Sequence, residues 1–538
     1  MPGWSIRRFS GMAPRVAPRL LADDAAKLAR NVWLKSGSLV PLKSNTTLAT
    51  LPKAGNIQTI YRFGQDLNSE TNYWFHWAAD VNVVKGFVAG DTQERTYYTD
   101  GVLPKVTDNT TALSGGGTSY PNASYTLGVP NPTTAPVAVK GGTPTSATAV
   151  AEDRVYVVTL VTAWGEEGAP SDASNIVSVK PGETVSLSLP STVAGNFNYA
   201  TKRIYRSVPG TSGTPYLFVA EVTAATTTYV DSKTGAQLGE TLPSLYYEMP
   251  PAGLQGLTAG PGGVMAGFVG RDIYFCEPFK PHAWPSSYVL TVDFEVVAIA
   301  CYDTNWVVLT KGAPYIISGA DPTNYVMSRN DLKQACVSKR SAVAVDGGVI
   351  FASPDGLFFI GGASTRNLTE NLFTRSEWQS FNPSTINGYF VDNTYVGFYN
   401  ASLGFTLDLT TGSFSVLDWA ASAGYYDPIV DQLFLVTNNN QLVKFNTGSN
   451  LTATWTSKEF YSPVPTTMAA ARVEAAGYPV TFSVYADGVL KSTQTVSNGD
   501  VFRLPSGFRA HSWYFTVTSA YTVYSAGIAT SVSELKNG

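Results

Sequence analysis

Three histidines, three cysteines and one pair of adjacent glutamates are the residues of this 538-residue chain most capable of chemistry. A zinc site needs His or Cys ligands at short, hairpin-like spacing. His76, His282 and His511 stand far apart in the chain, and Cys276, Cys301 and Cys336 form no CxxC pair. There is no GxSxG nucleophile elbow, phosphate loop, dinucleotide fingerprint or Asp-x-Asp calcium loop. His282 lies in CEPFKPHAWPSSY, between two prolines and beside Trp284, and reads as a structural histidine held in a rigid turn. Glu166 and Glu167 would point to opposite faces of a strand; in AWGEEGAP they read as the solvated tip of a turn. Each cysteine sits among apolar residues, as small core residues do, and is expected as a free thiol. The residues therefore assign no catalytic, cofactor-binding or metal-binding role, and the chain is not expected to be an enzyme.

The other conspicuous chemistry is cationic. Arg7, Arg8, Arg15 and Arg19 all precede the first acidic residue, and Pro14 and Pro18 deny that stretch a helix. A carboxylate-bearing surface would hold such an arm by charge-assisted hydrogen bonds. These four arginines are the candidate docking residues; the plainer reading is a tail packed on its own domain. After the arm, Asp23 offers an N-cap, and Leu21, Ala25, Leu28 and Val32 recur at helical spacing. That predicts one short helix, ended by Gly37, before a first strand in SLVPLKS.

Nearly everything else reads as strand. VMAGFVGRDIYFCEP, NWVVLTKGAPYIIS, GGVIFASPDGLFFIG, TYVGFYNASLGFTLDL and DQLFLVTNNNQLVKFN are each an apolar strand, a turn and a second apolar strand. Taking Gly270, Gly312, Gly356, Gly404 and Asn440 as turn markers, the unit repeats at about 40–45 residues, the period of a propeller blade. The predicted fold is mainly β: a β-propeller with an inserted immunoglobulin/fibronectin-like sandwich and a small C-terminal β-unit. Residues 1–50 form the arm, helix and first strand, and 51–102 a first blade. Residues 103–135 are a linker rich in Thr, Gly, Asn and Pro. The inserted sandwich spans 136–247, with short strands about ten residues apart and no Cys…Trp…Cys pattern. The remaining blades fill 248–454, and the unit at 455–538 is placed to help close the propeller.

Composition limits the function. Aromatic residues make up 12% of the chain and charged residues only 14%, against about 25% charged in ordinary soluble domains. A large subunit interface would cover the surplus apolar surface. A net charge of −4 argues against a protein that coats nucleic acid. No apolar run is long enough to span a membrane, and MPGWSIRRFSGMAP lacks the apolar core of a signal peptide.

Several strings together resemble a known family. FSGMAPRVAPRLLADDAAKLARNVWLKSGSLVPL is similar to the opening of phage tail proteins. YVVTLVTAWGEEGAPSDAS…KRIYRS…YLFVAEV…YVDS, followed by PPAGLQGLTAGPGGVMAGFVGRDIYFCEPFKPHAWP, resembles the tail nozzle (tail tubular protein B) of short-tailed phages. The likeness covers most of the chain. It implies a structural virion protein, assembled in the host cytoplasm as a homo-hexamer beneath a tail adaptor ring. Fibres or spikes would attach at that junction, and phage DNA would pass through the lumen without sequence-specific binding. Two other readings are a receptor-binding tail protein and an extracellular propeller that binds or cleaves glycans. Thiol titration of the denatured, unreduced protein is expected to count all 3 cysteines; a count of one would show a disulfide instead.

Overall fold

The computed structural model describes residues 3–64, 69–208, 214–362 and 364–536. Among these, α-helix is confined to three short segments, Asn109–Ala112, Arg375–Ser380 and Val532–Lys536, and the rest of the regular structure is almost all strand. The chain divides into two compact units. One comprises 1–80, 309–314 and 330–538; the other comprises 81–308 and 315–329.

The first unit contains three blade-type antiparallel sheets. The first runs through Val343–Val345, Gly348–Ser353, Gly356–Gly361 and Ser364–Asn367. The second runs through Asn387–Val391, Thr394–Tyr399, Leu403–Asp408 and Phe414–Leu417. The third, Ala423–Asp427, Gln432–Thr437 and Gln441–Lys444, takes its fourth strand from Thr46–Thr50 near the start of the chain. A hairpin, Thr59–Arg62 with Trp74–Trp77, packs on this sheet. The leading strands of successive sheets lie side by side, which is blade packing. Stacking covers both faces of a middle strand, so every residue of Gly348–Ser353 and of Thr394–Tyr399 is buried. That is why these strands read as continuous apolar runs rather than alternating ones.

The second unit repeats the pattern. Asn82–Lys85, Thr96–Thr99, Lys105–Thr107 and Tyr125–Thr126 form one sheet, and Gln255–Ala259, Met265–Val269, Asp272–Phe275 and Leu290–Thr291 another. Val296–Tyr302 leads a third. The fold is therefore mainly β and of propeller class. Between the first two of these sheets the chain builds a sandwich. One layer is Val137–Gly142, Glu183–Ser188 and Thr228–Asp231; the other is Tyr156–Thr162, Tyr199–Ser207 and Tyr216–Thr223. Ala138, Val185 and Leu187 from one layer meet Tyr156, Val158, Ile204 and Val219 from the other in a common core.

The C-terminal residues form a second sandwich. Ala453–Ser457, Ala510–Ser519, Val480–Ala486 and Val489–Val496 make one layer; Trp4–Ile6, Val523–Ala529, Ala470–Ala475 and Phe502–Arg503 make the other. Only one face of each layer is covered here, and Val480–Ala486 alternates strictly between buried and half-buried.

Several expectations need correction. The segment expected as a helix is the strand Ala26–Arg30, followed by Val32–Trp33. It runs antiparallel to Ala453–Ser457 and parallel to Phe414–Leu417, so two flanking ladders claim its backbone, and ladder pairing overrides local helical spacing. Residues 103–135 are not a bare linker, since they supply two strands of a four-stranded sheet. Residues 51–102 therefore hold only two strands of that sheet, which begins at Asn82; before it lies the two-stranded hairpin. Gly404 lies within Leu403–Asp408, and the turn that precedes that strand uses Asn400 and Ala401 at positive φ. The strand that completes the last blade comes from the N-terminal segment, not from 455–538.

The arm itself is core. Ile6 and Phe9 are buried among Trp455, Phe460 and Phe515, and Phe9 meets Trp455 edge-on at 5.0 Å. Phe9→Ala should therefore cost about 3–5 kcal/mol of stability. Chemical denaturation would read this, and a loss below 1 kcal/mol would return the arm to the surface.

Candidate functional site

The most concentrated buried chemistry lies in the second unit, on residues that the sequence scatters. The hairpin turn after Tyr156–Thr162 is closed by hydrogen bonds between Thr162 and Glu166 and by Gly165 at φ +77. This turn carries Trp164 and Glu166 to the sheet that begins at Asn82. There Glu166 Oε1 accepts from Arg95 Nη1 at 2.6 Å, Arg95 Nε donates to Asp91 Oδ2 at 2.8 Å, and the Trp164 ring lies 5.8 Å from the Arg95 guanidinium. Trp164 Nε1 donates to Gln93 Oε1 at 3.2 Å. Glu167 turns the other way and accepts from Thr159, Tyr205 and Arg203. The two glutamates are thus not a solvated tip: both are buried, each on its own set of donors. Opposite directions on an extended backbone were legible in the sequence; the arginines awaiting each carboxylate were not.

His282 reaches the same node from the loop that follows Asp272–Phe275. Its Nδ1 lies 3.8 Å from Glu166 Oε1, its ring meets Tyr247 edge-on, and it is buried. Among the described residues neither imidazole nitrogen has a partner at ordinary hydrogen-bond geometry, so this histidine is not the satisfied residue its rigid turn suggested. Burial lowers its pKa to about 3, helped by the Lys280 and Arg95 charges and opposed by the backbone of Glu167. Burial raises the Glu166 carboxyl to about 7, against the pull of Arg95. Arg95 and Asp91 each favour the charged form of the other, net of their own burial. The node can therefore hold or release a proton, and it fastens the inserted sandwich to its neighbouring sheet.

The other histidines stand elsewhere. His76 is fully buried on Trp74–Trp77, with Nδ1 2.8 Å from the Trp74 carbonyl. His511 stacks on Tyr461, with Nδ1 3.0 Å from the Ser462 carbonyl. Cys276 and Cys336 are buried free thiols, pushed up to about 12 by burial, and Cys301 is a half-buried free thiol. Among the described residues no group of three or more His, Cys, Asp or Glu side chains could hold a metal ion. No helix there is long and apolar enough to cross a membrane.

The four candidate arginines divide. Arg15 Nη1 donates to the Glu370 carbonyl at 2.5 Å, and its own amide donates to Leu372. Arg8 approaches Asp24 only to 3.8 Å, with its side chain 73% exposed. Arg7 and Arg19 are exposed and make no hydrogen bond or ion pair with the described residues. Arg7 and Arg8 line one pocket together; Arg15 and Arg19 lie outside it.

No family model matches the chain, and no curated protein matches it. Solved structures similar to it include BamB from Moraxella catarrhalis, 12% identical, covering 58% of this chain and 95% of that one at a TM-score of 0.26. They also include Sqt1 from Saccharomyces cerevisiae, 8% identical, covering 76% of this chain and 100% of that one at a TM-score of 0.30. BBS1N in complex with ARL6DN is 9% identical, covering 76% and 98% at a TM-score of 0.30. The propeller class of this chain rests on its own four-stranded sheets and their packing.

The node gives a pH prediction with two opposed signs. Glu166, raised to about 7, contributes stability that is fully present below the usual carboxyl range and lost as pH rises through 7. His282, lowered to about 3, contributes stability present above the usual histidine value and lost as pH falls toward 3. Between them the native protein should show a shallow profile from roughly pH 4.5 to 6.5. Glu166→Gln should leave a urea midpoint that rises with pH over that window, and His282→Phe one that falls. Parallel profiles for the two variants would show that the node does not titrate this way.

Proposed function

We propose that the chain is a structural virion subunit, a tail nozzle protein of a short-tailed bacteriophage, and not an enzyme. Six copies form a ring beneath the adaptor ring and make the distal conduit for genome ejection. The observation that carries this reading is the order of parts. Blade sheets are interrupted by a sandwich at 137–231 and followed by a second sandwich, and the strings similar to tail nozzle proteins run through the inserted sandwich and the blade after it. Within this reading the inserted module is of the immunoglobulin/fibronectin kind.

Surface chemistry supports it. Val139, Ser186 and Val230 stand in register across the Val137–Gly142, Glu183–Ser188 and Thr228–Asp231 layer, and both valines are more than half exposed. Tyr461, Val464, Val489, Leu490 and Tyr524 are likewise exposed on the C-terminal sandwich. Apolar surface of this kind, with little charge, suits contacts between subunits. A net charge of −4 suits a conduit for DNA, because a strongly basic wall would hold the dense phosphate charge and slow its transit.

Native mass spectrometry and negative-stain images should show a ring six times the 57.5 kDa subunit mass, with no glycan turnover. A monomer that cleaves glycans would overturn the proposal.

A further inference from the structure

The pocket lined by Arg7 and Arg8 has a volume of about 340 Å³. Phe9 and Leu34, both buried, stand in its wall; Lys35, Ser36, Ser38 and Ser413 supply polar groups around it. Its shape comes from the fold. The backbone leaves Trp4–Ile6, the Phe9 amide donates to the Gly37 carbonyl, and the turn at 34–38 is thereby held against the arm.

The charges in and around the pocket are unevenly satisfied. Lys35 Nζ is 2.7 Å from Asp392 Oδ2 and 3.8 Å from Asp408 Oδ2, so its charge is spoken for. Arg8 has only the distant Asp24 carboxylate, and Arg7 has no partner among the described residues. Ser38 and Ser413 hydroxyls likewise make no hydrogen bond with the described residues. Two guanidinium forks with free donors, beside free hydroxyls, match a planar oxyanion taken bidentately.

Its net charge selects among oxyanions. Asp24 lies 3.8 Å from Arg8, and Asp392 and Asp408 lie 2.7 and 3.8 Å from Lys35, so acidic charge is held close to the lining cations and repels a polyphosphate chain bringing one charge per nucleotide. A single carboxylate meets one or two unbalanced guanidiniums. The volume also exceeds that of one carboxylate and leaves room for the flanking peptide. We infer that this pocket binds the carboxylate of an acidic peptide segment presented by a partner protein, with Arg7 and Arg8 as the recognising pair.

The test uses the full chain and a fluorescein-labelled peptide with one glutamate between glycines and blocked ends, followed by fluorescence polarisation at low salt. The peptide should bind, and binding should weaken as salt screens the pair. Arg7→Ala with Arg8→Ala should reduce affinity about tenfold or more, the loss expected for a charged hydrogen-bond pair. Arg15→Ala with Arg19→Ala should stay within about twofold of the native chain, since those residues lie outside the pocket. Both variants should melt close to the native chain, because these side chains are exposed and Arg15 gives up only one exposed hydrogen bond, to the Glu370 carbonyl. Equal losses in the two variants, or no binding by the native chain, would overturn the inference. So would tighter binding of a thymidine hexanucleotide through Arg7 and Arg8, which would make the site a phosphate reader.

Discussion

The first fifty residues are shared among sheets that they do not adjoin in sequence, and the first unit depends on that sharing. Trp4–Ile6 joins the layer of Val523–Ala529. Ala26–Arg30 runs between the second blade sheet and the C-terminal sandwich. Thr46–Thr50 completes the third blade sheet. The connecting stretches are no looser. Met12 donates to the Phe414 carbonyl, Ala26 to Gly11, and Glu459 to Pro18. Gly11 sits so close to Phe414 that a Cβ there would lie 2.2 Å from its amide nitrogen, so only glycine fits. Apart from the local Ala26–Gly11 bond, these pairings join residues from opposite ends of the chain, and such closures cost chain entropy that the ladders must offset. The blade sheets can gather from local hairpins, but one of them lacks its outer strand until the start of the chain arrives.

Burial on both faces explains how so few charges suffice. A strand such as Thr394–Tyr399 offers no solvated face on which to place Lys or Glu. Several of the charged groups that enter the interior arrive as pairs. Arg62 meets Asp427 at 2.6 Å, and Arg206 meets Asp231 at 2.8 Å with both side chains fully buried and Tyr156 donating to the same carboxylate oxygen. Such pairs add little net stability over an apolar replacement, but an orphaned partner is costly, so they fix which elements meet. The Asp91–Arg95–Glu166 node follows the same rule and sets how the sandwich turn meets its sheet. His282 departs from it: burial, aided by the Lys280 and Arg95 charges, keeps its imidazole neutral against the opposing pull of the Glu167 backbone.

The blade hairpins were legible because their signal is local: an apolar run, a turn residue able to take positive φ, and a second run. Gly270 and Asn440 do take it. The inserted sandwich was legible for the same reason, through strands ten residues apart. What could not be read was any pairing over long separations. The spacing of Leu21, Ala25, Leu28 and Val32 fits a helix, and only the ladders of Phe414–Leu417 and Ala453–Ser457, far along the chain, make it a strand. The short strands Lys105–Thr107 and Tyr125–Thr126 were hidden in a stretch of Thr, Gly and Pro, because two or three residues carry no period. The glutamate pair failed similarly: a turn in sequence looks solvated until the surface that receives it is known.

In the N-terminal segment the same residues serve two ends through different atoms. Backbone amides and carbonyls are spent on ladders, and Ile6, Phe9, Ala26 and Ala29 on the core. The guanidinium groups of Arg7, Arg8 and Arg19 are left outside, with no buried role. A cation needed only for solubility could sit anywhere on the surface. Three of them are held instead on a stretch whose backbone course is fixed by long-range ladders, so at Arg7 and Arg8, which line a shared pocket, only side-chain freedom is left to lose on binding. A recognition site needs unsatisfied donors on a fixed backbone, and closing the sheets fixes the backbone that carries these arginines.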